Sequence, residues 1–133
     1  ESRVSTNGKT MVKYWVLPDE KENILYRAAY YNHPCAIWCR LNKDNYRWLL
    51  HLWCALCKEY TKRYDKVHDT YKKLIQHIYQ FPKNIEIGNF TQPPQCMPDE
   101  CKRKDTVDAY RTFYMAHKKE FATWKNQVPE WYK

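Results

Sequence analysis

Glycine is nearly absent from this 133-residue chain: there are two, Gly8 and Gly88. Gly-rich loops let a backbone wrap phosphates, so their absence removes both the dinucleotide fingerprint and the nucleotide P-loop. Serine is as scarce, with Ser2 and Ser5 both in the first ten residues. No serine therefore sits on a strand-to-helix elbow where it could act as a nucleophile. Long apolar runs are missing too. The most apolar stretch, Trp48 to Cys57, is interrupted by His51 and flanked by charge, which suits a buried helix and not a membrane span. No signal-peptide pattern opens the chain, which begins Glu1-Ser2-Arg3 without Met and reads as a processed, engineered or internal piece.

What is abundant is cation and ring. Lys and Arg number 23 against 15 Asp and Glu, a formal net charge of +8. Twelve Tyr, six Trp and four Phe make the chain 17% aromatic. The positive balance favours a polyanionic partner, although a basic protein with no such partner has the same composition. Rings bury large areas and leave a polar end to satisfy, so a core and a ring-bearing binding face are compatible in one chain. At this length the expectation is a single domain over residues 1–133, able to bury roughly 68% of its unfolded surface without staples.

Six cysteines fall as Cys35/Cys39, Cys54/Cys57 and Cys96/Cys101. An even count and the acceptor triplet Asn89-Phe90-Thr91 would suit a secreted, disulfide-bonded protein. Two of the pairs lie within helical patterns, where neighbouring Cα–Cβ vectors do not converge to bridge. Reduced thiols in a cytoplasmic protein are the expectation. Zinc on Cys35, Cys39, Cys54 and Cys57, with His51 one turn before Cys54, is a second reading of the same residues. Core thiols are favoured over it, because neither pair carries the Gly or turn of a zinc knuckle. No metal and no cofactor are expected.

The periodicity predicts an all-α fold with a long central helix, a Pro-rich loop and a C-terminal helix. Met11 to Leu17 fits either a short strand or an apolar clasp. Asp19 or Asn23 is placed to cap a short helix through Tyr30, and Pro34 suits the first turn of a helix to Leu41. After Asn42, apolar positions from Tyr46 to Ile78 recur at steps of one, three or four, which only a helix puts on one face. Unbroken, that element would be about 36 residues and ~54 Å long; a break near Asp65 to Asp69 is expected. Pro82, Pro93, Pro94 and Pro98 make residues 82–104 irregular. The last helix begins at Asp105, with Asp108 three residues on, and carries its apolar face to Trp124.

Three surface features could meet nucleic acid. Lys58, Lys62 and Lys66 follow at four-residue intervals, as phosphate contacts or as an ordinary solvated face. Lys102, Arg103 and Lys104 precede the last helix and back its positive end. At the end of the chain Trp131, Tyr132 and Lys133 offer rings that would stack on bases or fold back on the core. The paired carboxylates Asp99-Glu100, Asp65/Asp69 and Asp105/Asp108 read as turn, helix-surface or cap residues.

The run Tyr31-Asn32-His33-Pro34-Cys35-Ala36-Ile37-Trp38, with Cys57-Lys58-Glu59-Tyr60 and Arg63-Tyr64 after it, resembles the pyrimidine-dimer DNA glycosylase superfamily. That superfamily contains the phage endonuclease V enzymes and their bacterial and phage relatives. The resemblance resumes at Met97-Pro98-Asp99-Glu100, passes Ala109-Tyr110-Arg111 and ends at Val128-Pro129-Glu130-Trp131-Tyr132-Lys133. It covers roughly residues 30 to 80 and 96 to 133. It implies an all-α domain that binds double-stranded DNA, flips a nucleotide and cleaves a glycosidic bond, with associated lyase activity. The expected location is the cytoplasm, that of a virus-infected cell included, or a virion. The nucleophile of that family is the N-terminal amine, helped by a glutamate. Aligned on a Glu-Ser pair, Glu1 stands at the catalytic glutamate and the amine-bearing segment is absent; alternatively the α-amine of Glu1 is itself the nucleophile. Trp131, Tyr132 and Lys133, with His33 and Arg40 near the shared motif, are the implied DNA contacts. A non-enzymatic protein that binds nucleic acid or protein through the same basic aromatic surface is the rival expectation, and oligomeric state stays open.

Overall fold

Four side chains written into the sequence set the helix starts. His33 Nδ1 accepts the Cys35 N–H at 3.2 Å and Pro34 opens the first turn of the helix that follows. Asn42 Oδ1 accepts from Asn45 N at 2.9 Å, His68 Nδ1 from Thr70 N at 3.2 Å, and Asp105 Oδ1 from Asp108 N at 3.1 Å. Each satisfies one of the orphan N–H groups that a helix leaves at its start.

The computed structural model describes residues 2–4, 8–9, 11–13 and 15–133, with backbone alone at 2–4, 12 and 13. The fold is all-α. Its helices are α1 (Lys21–Ile24), α2 (Pro34–Leu41), α3 (Lys43–Tyr64), α4 (Asp69–Ile78) and α5 (Thr106–His117), with 3-10 turns at Asp99–Cys101, Lys119–Phe121 and Glu130–Tyr132. The described strands are a three-residue antiparallel pair, β1 (Ser2–Val4) and β2 (Met11–Lys13), in register Ser2↔Lys13. Gly8, between them, takes a φ of 71°, a conformation that glycine adopts without steric cost. Of Met11 to Leu17, Met11–Lys13 is strand and residues 15–17 are irregular.

The long apolar period is two helices, as the expected break requires. Asp65 ends α3 in the left-handed region, at φ 50° and ψ 39°, with its N–H on Thr61 O at 2.8 Å. Asp tolerates that region better than most residues. Two elements are shorter than their patterns suggest. α1 stops at Ile24, not Tyr30: Leu25 turns extended at φ −77° and ψ 153°, and further on Tyr31 stacks on Trp15 and under Arg40. α5 stops at His117, and the chain turns back so that Trp124, Trp131 and Tyr132 pack around Tyr114.

Residues 86–95 cross the molecule as an extended strap between the α2–α3 corner and α5. Prolines cannot donate, so the strap is held largely by side chains that reach its backbone. Asn42 donates to Asn89 O at 3.1 Å and the Lys43 N–H to Glu86 O at 2.9 Å. Asn45, fully buried, donates to Trp38 O and Thr91 Oγ1 and accepts the Thr91 N–H at 2.9 Å. The Trp38 indole N–H closes the network on Thr91. On the other side, the buried Thr106 hydroxyl donates to Pro93 O at 2.9 Å and the Thr106 N–H donates to Gln92 Oε1 at 3.2 Å. Gly88 completes the fit: a Cβ there would stand 2.9 Å from Asn42 Cβ.

The core is thin. Trp38, Cys57, Cys101 and Ala109 are its buried apolar residues among those described, and the surface totals 10702 Å². A folded monomer of 16.4 kDa typically exposes about 7,500 Å².

Candidate functional site

The strap, α2, α3 and α5 enclose an open groove of about 540 Å³. Trp38 and Trp48 form one wall, Tyr110, Tyr114 and Trp131 the other, and Cys35 and Pro93 close one side. Polar lining atoms are few, and Arg111 is the single cation among the lining residues. Trp38 and Trp48 meet edge to face at 5.7 Å, and Trp131 meets Tyr114 edge to face at 5.6 Å. The Arg111 guanidinium lies 5.7 Å from the Trp131 ring centre and 3.9 Å from Asp108. Rings fixed edge to face keep their faces directed by packing, so a planar guest would meet preset surfaces.

Sequence reading named Trp131 from this groove and missed the rest of its rings. Tyr110 and Tyr114 are one turn apart on α5, which was visible as an apolar face but reads equally as core. Trp131 and Tyr132 fold back onto α5, partly buried, so the terminal rings are a cap on Tyr114 with one contributing to the groove. Lys133 is paired with Glu130 at 2.8 Å.

The cations separate into free and committed. Lys58 and Lys62 are exposed on α3; Lys66 lies beyond the left-handed Asp65, so the three do not continue one helical stripe. Lys102 is bound to Asp99 at 2.6 Å; that bond holds the Asp99 carboxyl below its usual range and lifts the Lys102 ammonium above its own. Arg103 donates to Glu100 O and Lys102 O, while Gln95 bonds its backbone in both directions. Lys104 is exposed next to them. Arg40 donates to Tyr31 O at 2.9 Å and covers the Tyr31 ring at 3.9 Å, and His33 is a helix cap. Glu1 lies outside the described residues.

The thiols are all free, and the sequence pairing is not the spatial one. Cys35 Sγ is 3.8 Å from Cys96 Sγ, 61 residues away, whereas Cys96 and Cys101 had been grouped by position. His33, Cys35 and Cys96 bring their ligating atoms within 4.8 Å of one another, as do Glu100, Cys101 and His117. The zinc set read from spacing, Cys35, Cys39, Cys54, Cys57 and His51, is not a cluster among the described residues. Burial pushes up the thiols of Cys35, Cys39 and Cys57, with Cys96 adding to the shift at Cys35.

No family model, curated protein or solved structure matches the chain. Among the described residues no helix is long and apolar enough to cross a membrane.

Proposed function

We propose that this chain is a DNA-binding protein, akin to base-excision glycosylases, that receives an unstacked or damaged pyrimidine in the ring-lined groove. The observation that carries this reading is the groove itself: five rings and one guanidinium around a space of about 540 Å³, in a chain of net charge +8. A base has a π-face whatever its identity, and each base–ring stack contributes on the order of 1–3 kcal/mol. Lys58 and Lys62 on α3 and Lys104 ahead of α5 are the exposed cations offered to phosphates.

Fluorescence anisotropy with a labelled duplex, intact or carrying a pyrimidine dimer, tests it across a salt series. Affinity should fall steeply with salt, since each neutralised phosphate releases counterions. Trp131→Ala and Arg111→Ala should each weaken binding by roughly tenfold, one stacking contact's worth. A salt slope near zero ends the nucleic-acid reading. Borohydride trapping then separates two forms of the proposal: a covalent adduct and a nicked strand identify a glycosylase and lyase, whereas tight binding with neither identifies a binder.

A second reading has its own support. The excess surface carries large exposed apolar residues, Tyr30 at 86%, Ile87 at 87% and Phe121 at 73% exposed. These favour an interaction protein whose rings meet another protein. It predicts salt-insensitive association.

A further inference from the structure

We infer that His33, Cys35 and Cys96 form a binding site for a zinc-class divalent cation at the edge of the aromatic groove, with a fourth coordination position left open. This site is independent of nucleic-acid binding.

The distances suit a metal. Two sulfurs on one tetrahedral zinc, each bonded at ~2.3 Å, stand about 3.8 Å apart. The Cys35 and Cys96 sulfurs are 3.8 Å apart. A disulfide would require them to close to about 2.05 Å. Two thiols and an imidazole are soft to borderline donors, which select zinc over the oxygen-loving magnesium and calcium.

The ligands are also held in place. Cys35 sits in the first turn of α2 and His33 caps that helix. Cys96 follows two prolines and Gln95, whose amide is bonded to the Arg103 backbone at 2.6 and 3.0 Å. Buried Thr106 fixes Pro93, and Tyr110 donates to Pro94 O at 3.0 Å. Cation binding releases the two thiol protons and forms two metal–sulfur bonds, with no change of oxidation state.

Three protein ligands with one vacant position are the pattern of zinc sites that bind a water or a guest. Of the three, Cys35 also lines the groove, which sets the cluster at the groove's edge. The same metal would pin α2 to the chain just past the strap and raise stability as a ligand of the folded state.

The test is a titration of the full chain with cobalt(II), then zinc(II), in a phosphine reductant, with elemental analysis after desalting. One equivalent should bind, with a thiolate-to-cobalt charge-transfer band and a raised unfolding temperature. Cys35→Ser and Cys96→Ser should each abolish the band, His33→Ala should weaken it, and Cys54→Ser should leave it unchanged. Cys96 is exposed, so its serine variant retains the fold, checked by far-UV circular dichroism. Absence of binding, or binding that survives both Cys35→Ser and Cys96→Ser, overturns the site. So does mass spectrometry showing a Cys35–Cys96 disulfide in the zinc-treated chain. DNA binding can fail while every cobalt result stands, so the two proposals are separately refutable.

Discussion

The two ends of the α3–α4 pair are built differently. At the start of α3, Asn45 and Asn42 bind the strap through buried or close-fitting polar contacts, and Gly88 allows an approach that no side chain would. At the far end, α4 meets α3 through rings: Trp53 stacks on Tyr71 at 5.5 Å, and Tyr60 meets His68 edge to face at 4.7 Å. No residue of α4 is fully buried. A buried hydrogen-bond network specifies one arrangement because any broken member is left without water, whereas ring contacts at a surface tolerate displacement. The groove and the three-ligand cluster both lie at the sutured end. Geometry that a site requires is found where the chain is over-determined.

That contrast can be broken by mutation. The largest effect is expected from Asn45→Ala, which strands the Thr91 N–H and removes bonds to Trp38 and Thr91. Urea unfolding should show a loss of about 3 kcal/mol; a loss under about 1 kcal/mol would mean that the strap docks without its suture. Gly88→Ala should follow, at about 2 kcal/mol, because the added methyl forces the strap off Asn42. An unchanged urea midpoint would refute the close approach. At the other end His68→Ala removes an exposed cap together with the edge-to-face contact on Tyr60, and should cost about 1–1.5 kcal/mol. Its signature is faster hydrogen exchange in α4 with α3's first turns unaffected; uniform acceleration would show that the two ends open together. The smallest effect belongs to Lys72→Ala. Its ion pair with Asp69 is exposed at 3.2 Å, and the change in unfolding free energy should stay below about 0.5 kcal/mol.

Helix starts were legible because caps are local: His33-Pro34, Asn42 and Asp105 act within three residues of themselves. The break after Tyr64 was legible because a helix of the full apolar length would outrun so small a domain. The end of α5 was not. Lys118 to Trp124 contains neither Gly nor Pro and keeps helical spacing, yet the packing of Trp124 and Tyr132 on Tyr114 turns the chain away. Tertiary contact overrides propensity there. The groove was half legible: its α5 rings share a face in sequence and Trp131 stood out at the chain's end, where it packs directly on Tyr114, but Trp38 and Trp48 join them only through the strap. The Cys35–Cys96 approach could not be read at all, since nothing in a linear pattern pairs residues 61 apart over the Cys96/Cys101 neighbours.

The strap also dictates an order of assembly. Asn45 and Thr91 are 46 residues apart, and closing a loop of that size costs on the order of 3 kcal/mol in chain entropy, recovered only when the bonds form. Helices α2, α3 and α5 draw on contacts within a few residues and can form first. The crossing segment is then expected to dock last, like a bolt through two hinged plates. Until it does, neither the aromatic groove nor the sulfur pair exists, so both would emerge together in the final event of folding.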